Sequence, residues 1–201
     1  MQEFMSDKQK EMLAKILETY DEILLCRQDA KNMTDEAVMA LPEPDRTMYR
    51  AMKLSDEMPG IRSIIFGKDR NLAMAVAANA NITSNTMQAI CKSKDMELIR
   101  SIALNPYLNF YAVGKSGSKI PADVWLAGHG DQIVIQNLLL NDSTSTILVD
   151  KYAKSRNKVI AFLAMLNDNV SSFVLSDIAR SKDPAFSKMA KSILSDRKAS
   201  K

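Results

Sequence analysis

The sequence predicts an all-α protein: a right-handed α-solenoid of stacked two-helix repeats behind an N-terminal helical cap. Three observations predict it. One pattern of about 26 residues recurs four times between Asp69 and Lys182. Six glycines and six prolines in 201 residues, set among many Ala, Leu, Met, Lys and Glu, favour helix and leave β content near zero. A two-helix unit of this length also has an apolar face too large to stay wet, and stacking on its neighbours buries that face.

Residues 1–68 are expected to form the cap. Ser6 with Gln9 three residues later has the form of a capping box. Leu13, Ile16, Leu17, Tyr20, Ile23 and Leu24 follow at helical spacing, so a long amphipathic helix starts there. It reads as a cover for the first repeat, with a dimerisation helix as the sharper alternative. Asn32 to Ala40 gives a shorter helix capped by Thr34, and Pro42 and Pro44 break the chain before helix resumes near Asp45. Met48, Met52 and Met58 then share one side, which reads as core or, more sharply, as a pliable partner groove. Pro59-Gly60 ends that helix. Ile61, Ile64, Ile65 and Phe66 add an apolar turn, a degenerate repeat, before Gly67.

The repeats divide as 69–94, 95–130, 131–156 and 157–182, with 183–201 as a truncated C-terminal cap. Asp69, Asp95, Asp131, Asn157 and Asp183 open them at spacings of 26, 36, 26 and 26. Apolar residues stand three and seven positions after each opening residue: Leu72 and Val76, Leu98 and Ile102, Val134 and Leu138, Ile160 and Ala164, Phe186 and Ala190. That spacing is one helical stripe. Ten positions after the opening residue comes Asn79, Asn105, Asn141 or Asn167, a residue type that tolerates the left-handed conformation ending a helix. These four are expected to stack as a row whose amides satisfy turn backbone groups.

Thr83, Asn109, Ser145 and Ser171 then cap a second helix. Met87, Val149 and Leu175, and in the second unit Val113, stand four residues on, where a hydrophobic staple closes onto Ile82, Val170 or Leu108, with Thr144 a poorer partner. The second unit carries ten extra residues around Gly114-Lys115-Ser116-Gly117-Ser118-Lys119. Pro121 suits the first turn of the helix that follows, and Leu126 with Ala127 regains the column of Ile90 and Cys91.

With 46% hydrophobic residues and 25% charged ones, the chain can bury a core. Cys26 and Cys91 form no Cys-x-x-Cys pair, and Cys91 falls in a core column as a free thiol. No apolar run nears the ~18 residues of a membrane span. The N-terminus lacks the basic-then-apolar order of a signal peptide, so a soluble, intracellular protein is expected. Net charge is +3 overall, −3 for residues 1–68 and +6 for residues 69–201, which makes the repeats the basic part.

Catalytic chemistry finds little footing. Gly114-Lys115-Ser116 lacks the first glycine of a phosphate-binding loop, since Asn109 stands in its place, and the upstream segment reads as helix where that loop needs strand. His129 is the single histidine, between Gly128 and Gly130, and has no partner set for a metal or a nucleophile. Asp123, Asp131 and Asp142 lie near the insertion, where a helix cap explains Asp131 and loop polarity Asp142. No cofactor is implied. The recurrent polar feature is a basic pair closing three units: Lys92 and Lys94, Lys154 and Arg156, Arg180 and Lys182. These six, with Lys115 and Lys119 in the irregular unit, are expected to line one edge that either tracks a phosphate backbone or offsets helix dipoles.

Ser101-Ile102-Ala103-Leu104-Asn105-Pro106-Tyr107-Leu108, echoed by Ala77-Ala78-Asn79-Ala80-Asn81-Ile82, resembles the core of variant leucine-rich repeats, with HEAT-like repeats as wider relatives. The resemblance covers residues 69–182. It implies a binding platform, so a non-enzymatic module docking a protein partner is the first expectation. Nucleic-acid binding along the basic edge is the alternative, because one HEAT-like group comprises DNA glycosylases. Trp125, Tyr107, Phe110 and Tyr111 cluster near the insertion, but no clear catalytic carboxylate pairs with them, and Trp125 reads as packing.

Overall fold

A computed structural model describes residues 5–53, 60–108, 111–113 and 119–199. Among them are thirteen α-helices and one two-stranded hairpin. The first helices are α1 (Asp7–Asn32), α2 (Asp35–Met39), α3 (Asp45–Lys53) and α4 (Ile61–Ile65). The repeats follow with α5 (Arg70–Asn79), α6 (Ser84–Lys92), α7 (Met96–Ile102), β1 (Tyr111–Val113), β2 (Lys119–Pro121) and α8 (Ala122–Ala127). The chain continues through α9 (Gln132–Leu140), α10 (Thr146–Ala153), α11 (Lys158–Leu166), α12 (Ser172–Ala179) and α13 (Pro184–Ala199). No described helix is long and apolar enough to cross a membrane.

Cap chemistry sets the helix starts. Ser6 and Gln9 exchange reciprocal bonds at the head of α1, with the Ser6 N–H donating at 3.0 Å and the Gln9 N–H at 3.3 Å. Asp69, Asp95, Asp131 and Asn157 cap α5, α7, α9 and α11, each accepting from the N–H three residues on. Asp183 does the same for α13 through Phe186 at 3.3 Å. Thr83 and Ser171 cap α6 and α12 through their hydroxyls. Gly130 takes φ +71° just before the Asp131 cap, a conformation that needs no Cβ.

The chain groups into two compact units, Tyr20–Ser143 and the combination of Met1–Thr19 with Thr144–Lys201. In the first, α5 packs on α7 and α7 on α9, with α3 and α4 against α5, α6 against α7 and α8 against α9. In the second, α10 packs on α11 and α12 on α13. The stripe and, in the second unit, the helices α10 and α12 supply the two cores. Val76, Leu98, Ile102, Val134 and Leu138 are buried in the first unit, and Val149, Ile160, Ala164, Leu175, Ile178 and Ala190 in the second. Leu72 and Phe186, the first and last of their column, are half-buried. Leu24 stays exposed although its spacing placed it on the apolar stripe of α1.

The second repeat departs from the pattern. Instead of a helix starting after Asn109, it forms the antiparallel hairpin β1–β2, with Tyr111 opposite Pro121 and Val113 opposite Lys119. Val113 therefore stands in a strand, not four residues into a helix. Asn109 itself lies outside the described residues. Residues 111–113 and 119–121 pair their backbones across the hairpin, and the second helix starts only at α8, directly after Pro121. Leu126 and Ala127 are buried as their column requires.

Candidate functional site

Asparagines finish the first helix of each repeat. Asn79, Asn105, Asn141 and Asn167 are all buried, and none takes positive φ, since Lys94 is the only non-glycine that does so among the described residues. Their use is side-chain bonding. The Asn105 amide donates to Ala77 O at 2.7 Å and Ala80 O at 2.9 Å, and Asn141 donates to Ala103 O at 2.9 Å and Asn105 O at 2.8 Å. Each thus ties its repeat to the one before. Asn105, Asn141 and Asn167 each accept from the N–H two residues on, an Asx turn that redirects the chain toward the second helix. Asn79 instead donates to Ala75 O in its own helix and accepts from Arg27 at 2.6 Å.

Arg27 of α1 reaches across to this row, donating also to Ala78 O at 3.1 Å and Leu104 O at 2.7 Å. It satisfies carbonyls at the ends of α5 and α7, and burial of its guanidinium lowers its pKa. In the other unit Arg197 of α13 plays the same part, donating to Val170 O and Asp168 O beyond the end of α11. Sequence reasoning missed both arginines, because such bonds join positions far apart in the chain. It also missed the double duty of the opening aspartates. Asp95 pairs with Arg70 and Asp131 with Arg100, both at 2.7 Å, while Asp183 lies 3.9 Å from Lys158. The signal was present, as a base inside one repeat and an acid opening the next. The Arg100 guanidinium, by hydrogen bonding, holds the Asp131 carboxyl below its ordinary range.

This scaffold leaves a groove of about 460 Å³ between α1, α3, α5, α7 and α9. Met48 and Met52 from α3, Met74 from α5, Ile23 and Cys26 from α1 and Leu104 beyond α7 supply its apolar wall. Glu22, Glu97, Arg100 and Asn137 supply the polar rim. Those rim groups are largely preoriented: Glu97 pairs with Arg70 at 3.2 Å, and the Asn137 amide donates to Arg100 O at 2.8 Å. A wall of three flexible, polarisable thioethers adapts to apolar side chains of different shape. Met58 lies outside the described residues.

The candidate basic residues fall in both units. Lys92, Lys94 and Lys119 are exposed in the first, with Lys94 at φ +60° in the turn closing α6. In the second, Lys154, Arg156, Arg180 and Lys182 are exposed, and Lys154 and Arg180 converge on Asp177 at 3.3 Å and 2.7 Å. Lys115 lies outside the described residues with the rest of 114–118. The segment ahead of that stretch is strand rather than helix, and a second strand, not the helix of a phosphate-binding loop, follows it.

His129 is exposed, its ring edge-on to Trp125 with centroids 4.6 Å apart. Asp123 is buried, with its carboxylate accepting from Val124 N at 2.8 Å, while Asp142 is exposed. Tyr107 is half-buried and Tyr111 exposed, while Phe110 lies outside the described residues. Among the described residues no three His, Cys, Asp or Glu side chains are grouped to hold a metal ion. Cys91 is buried, which pushes its thiol up to about 12.

Comparison with protein-family models, with curated proteins and with solved structures finds no match to this chain.

Proposed function

We propose that this protein is a non-enzymatic binding module of α-solenoid type, and that it docks an apolar helical segment of a protein partner in the methionine-lined groove. The groove carries the reading. An amphipathic helix anchors through side chains spaced one turn apart, and Met48, Met52 and Met74 offer such anchors a deformable wall beside a fixed polar rim. The solenoid reading is supported by serial packing of α5, α7 and α9 and by the bonds of Asn105 and Asn141 to their preceding repeats.

The test is affinity capture from cells after nuclease treatment, comparing the parent with Met74→Glu and Ala75→Arg. Both residues line the groove and are half-buried. A protein retained by the parent and lost by both variants, with unchanged thermal melts, supports the proposal. Capture that needs nucleic acid, or that ignores both variants, contradicts it.

A further inference from the structure

Ile147 and Phe173 are the most exposed large apolar side chains among the described residues, at 78% and 72%. Single exposed apolar residues are ordinary, but these two share one phase of the repeat. Each stands two positions after the serine that precedes its helix, Ser145 before α10 and Ser171 before α12. Each also has a base seven positions on, along the same helical face: Lys154 after Ile147 and Arg180 after Phe173.

The two faces adjoin. Asp150, one turn beyond Ile147, accepts from Ser171 N at 2.8 Å. Lys154 lies 5.9 Å from the centre of the Phe173 ring and 3.3 Å from Asp177, which Arg180 also engages at 2.7 Å. Asp150 and Asp177 balance Lys154 and Arg180 one for one, and Lys151, exposed on the same helix, adds one further positive charge. Residues 144–201 carry 11 Lys and Arg against 5 Asp and Glu, so the surrounding field has the same sign.

We propose that this face of α10 and α12 is a second docking surface, for an acidic amphipathic segment of a partner protein. Its apolar residues cover Ile147 and Phe173, and its carboxylates engage Lys154 and the outward side of Arg180. The local chemistry selects peptide over nucleic acid. Phe173 offers the only ring of the pair, and Lys154 already approaches it; Ile147 gives a second base nothing to stack on, and Asp177 between the two cations repels a continuous phosphate backbone. The surface stands independently of the methionine groove.

The experiment uses the full chain with three fluorescent probes: an amphipathic peptide bearing Glu and Leu, the same peptide with Lys for Glu, and oligothymidylate. The Glu peptide is expected to bind at low salt and to weaken as salt rises. Its affinity falls about tenfold or more in the Ile147→Ser/Phe173→Ser double variant and is unchanged in Ala75→Arg. Melting temperatures of the exposed-site variants report that the fold is kept. The proposal is overturned if the Glu peptide does not bind, if the Lys peptide binds equally, or if the serine variant retains affinity. Loss of binding in Ala75→Arg overturns it by moving the peptide to the groove. Oligothymidylate binding that the serine variant abolishes makes the surface a nucleic-acid site, and self-association abolished by that variant makes it a contact between copies; either outcome also overturns the proposal.

Discussion

Asn141 holds three strands of backbone logic at once: two donated bonds to the preceding repeat and one accepted bond that starts the turn to Ser143. Its amide is buried, so truncation leaves those carbonyls without this donor. Asn141→Ala is expected to cost about 1 to 3 kcal/mol in urea unfolding, and a variant as stable as the parent would remove the row from the account. Asp131 separates cap from charge. Asn caps a helix about as well as Asp, so Asp131→Asn keeps the bond to Val134 N and loses the ion pair to Arg100. The pair is partly exposed, so the loss near neutrality is about 0.2 to 1 kcal/mol. Because the folded carboxyl is held below its ordinary value, this contribution is present above about pH 4 and fades as pH falls through the depressed folded pKa. Equal differences between parent and variant at neutral and strongly acid pH would contradict the assignment.

The helices with serial packing were legible because their determinants are local. Cap residues sit next to the N–H groups they bond, and the stripe at three and seven positions needs only helical geometry, so α5, α7, α9, α11 and α13 start where Asp69, Asp95, Asp131, Asn157 and Asp183 place them. The hairpin was not legible. Its pairing of Tyr111 with Pro121 spans the insertion, and no alternating run announces strands this short. The reach of Arg27 over fifty-two positions to Asn79 leaves no local trace either. The methionine groove was half legible: Met48 and Met52 carried the spacing, but Met74, Ile23 and Cys26 join them only through packing. Leu138 lies fully buried in α9, and Leu138→Ala is expected to cost about 2 to 5 kcal/mol by opening a cavity, read as a shift in urea midpoint. The two thiols should also separate. Cys91, buried with its pKa at about 12, resists alkylation at neutral pH, while Cys26 in the groove wall reacts. Thiol titration giving two equally fast cysteines before unfolding would contradict this.

Across the chain, charge is divided unevenly. Residues 144–201 carry the entire excess of the basic half, since residues 69–143 hold 6 bases and 6 acids. Lys154 and Arg180 are partly neutralised by Asp177, which weakens the case for a row of phosphate contacts without removing the long-range field. Reversing Lys154 and Arg156 to Glu therefore discriminates two roles. If they serve a phosphate backbone, nucleic-acid affinity at low salt collapses across all sequences. If they offset helix ends, stability falls by a few tenths to about 1 kcal/mol per charge and partner binding through the groove persists, which is the outcome expected here.

The central claim is that Met48, Met52 and Met74 form a partner-binding wall, and methyl NMR of protein labelled at its methionine methyls tests it most directly. On addition of the nuclease-resistant captured partner, the resonances of these three methyls are expected to shift, while those of Met165 and Met189, buried in the other unit, stay in place. Saturating partner that leaves all three groove methyls unmoved would contradict the account.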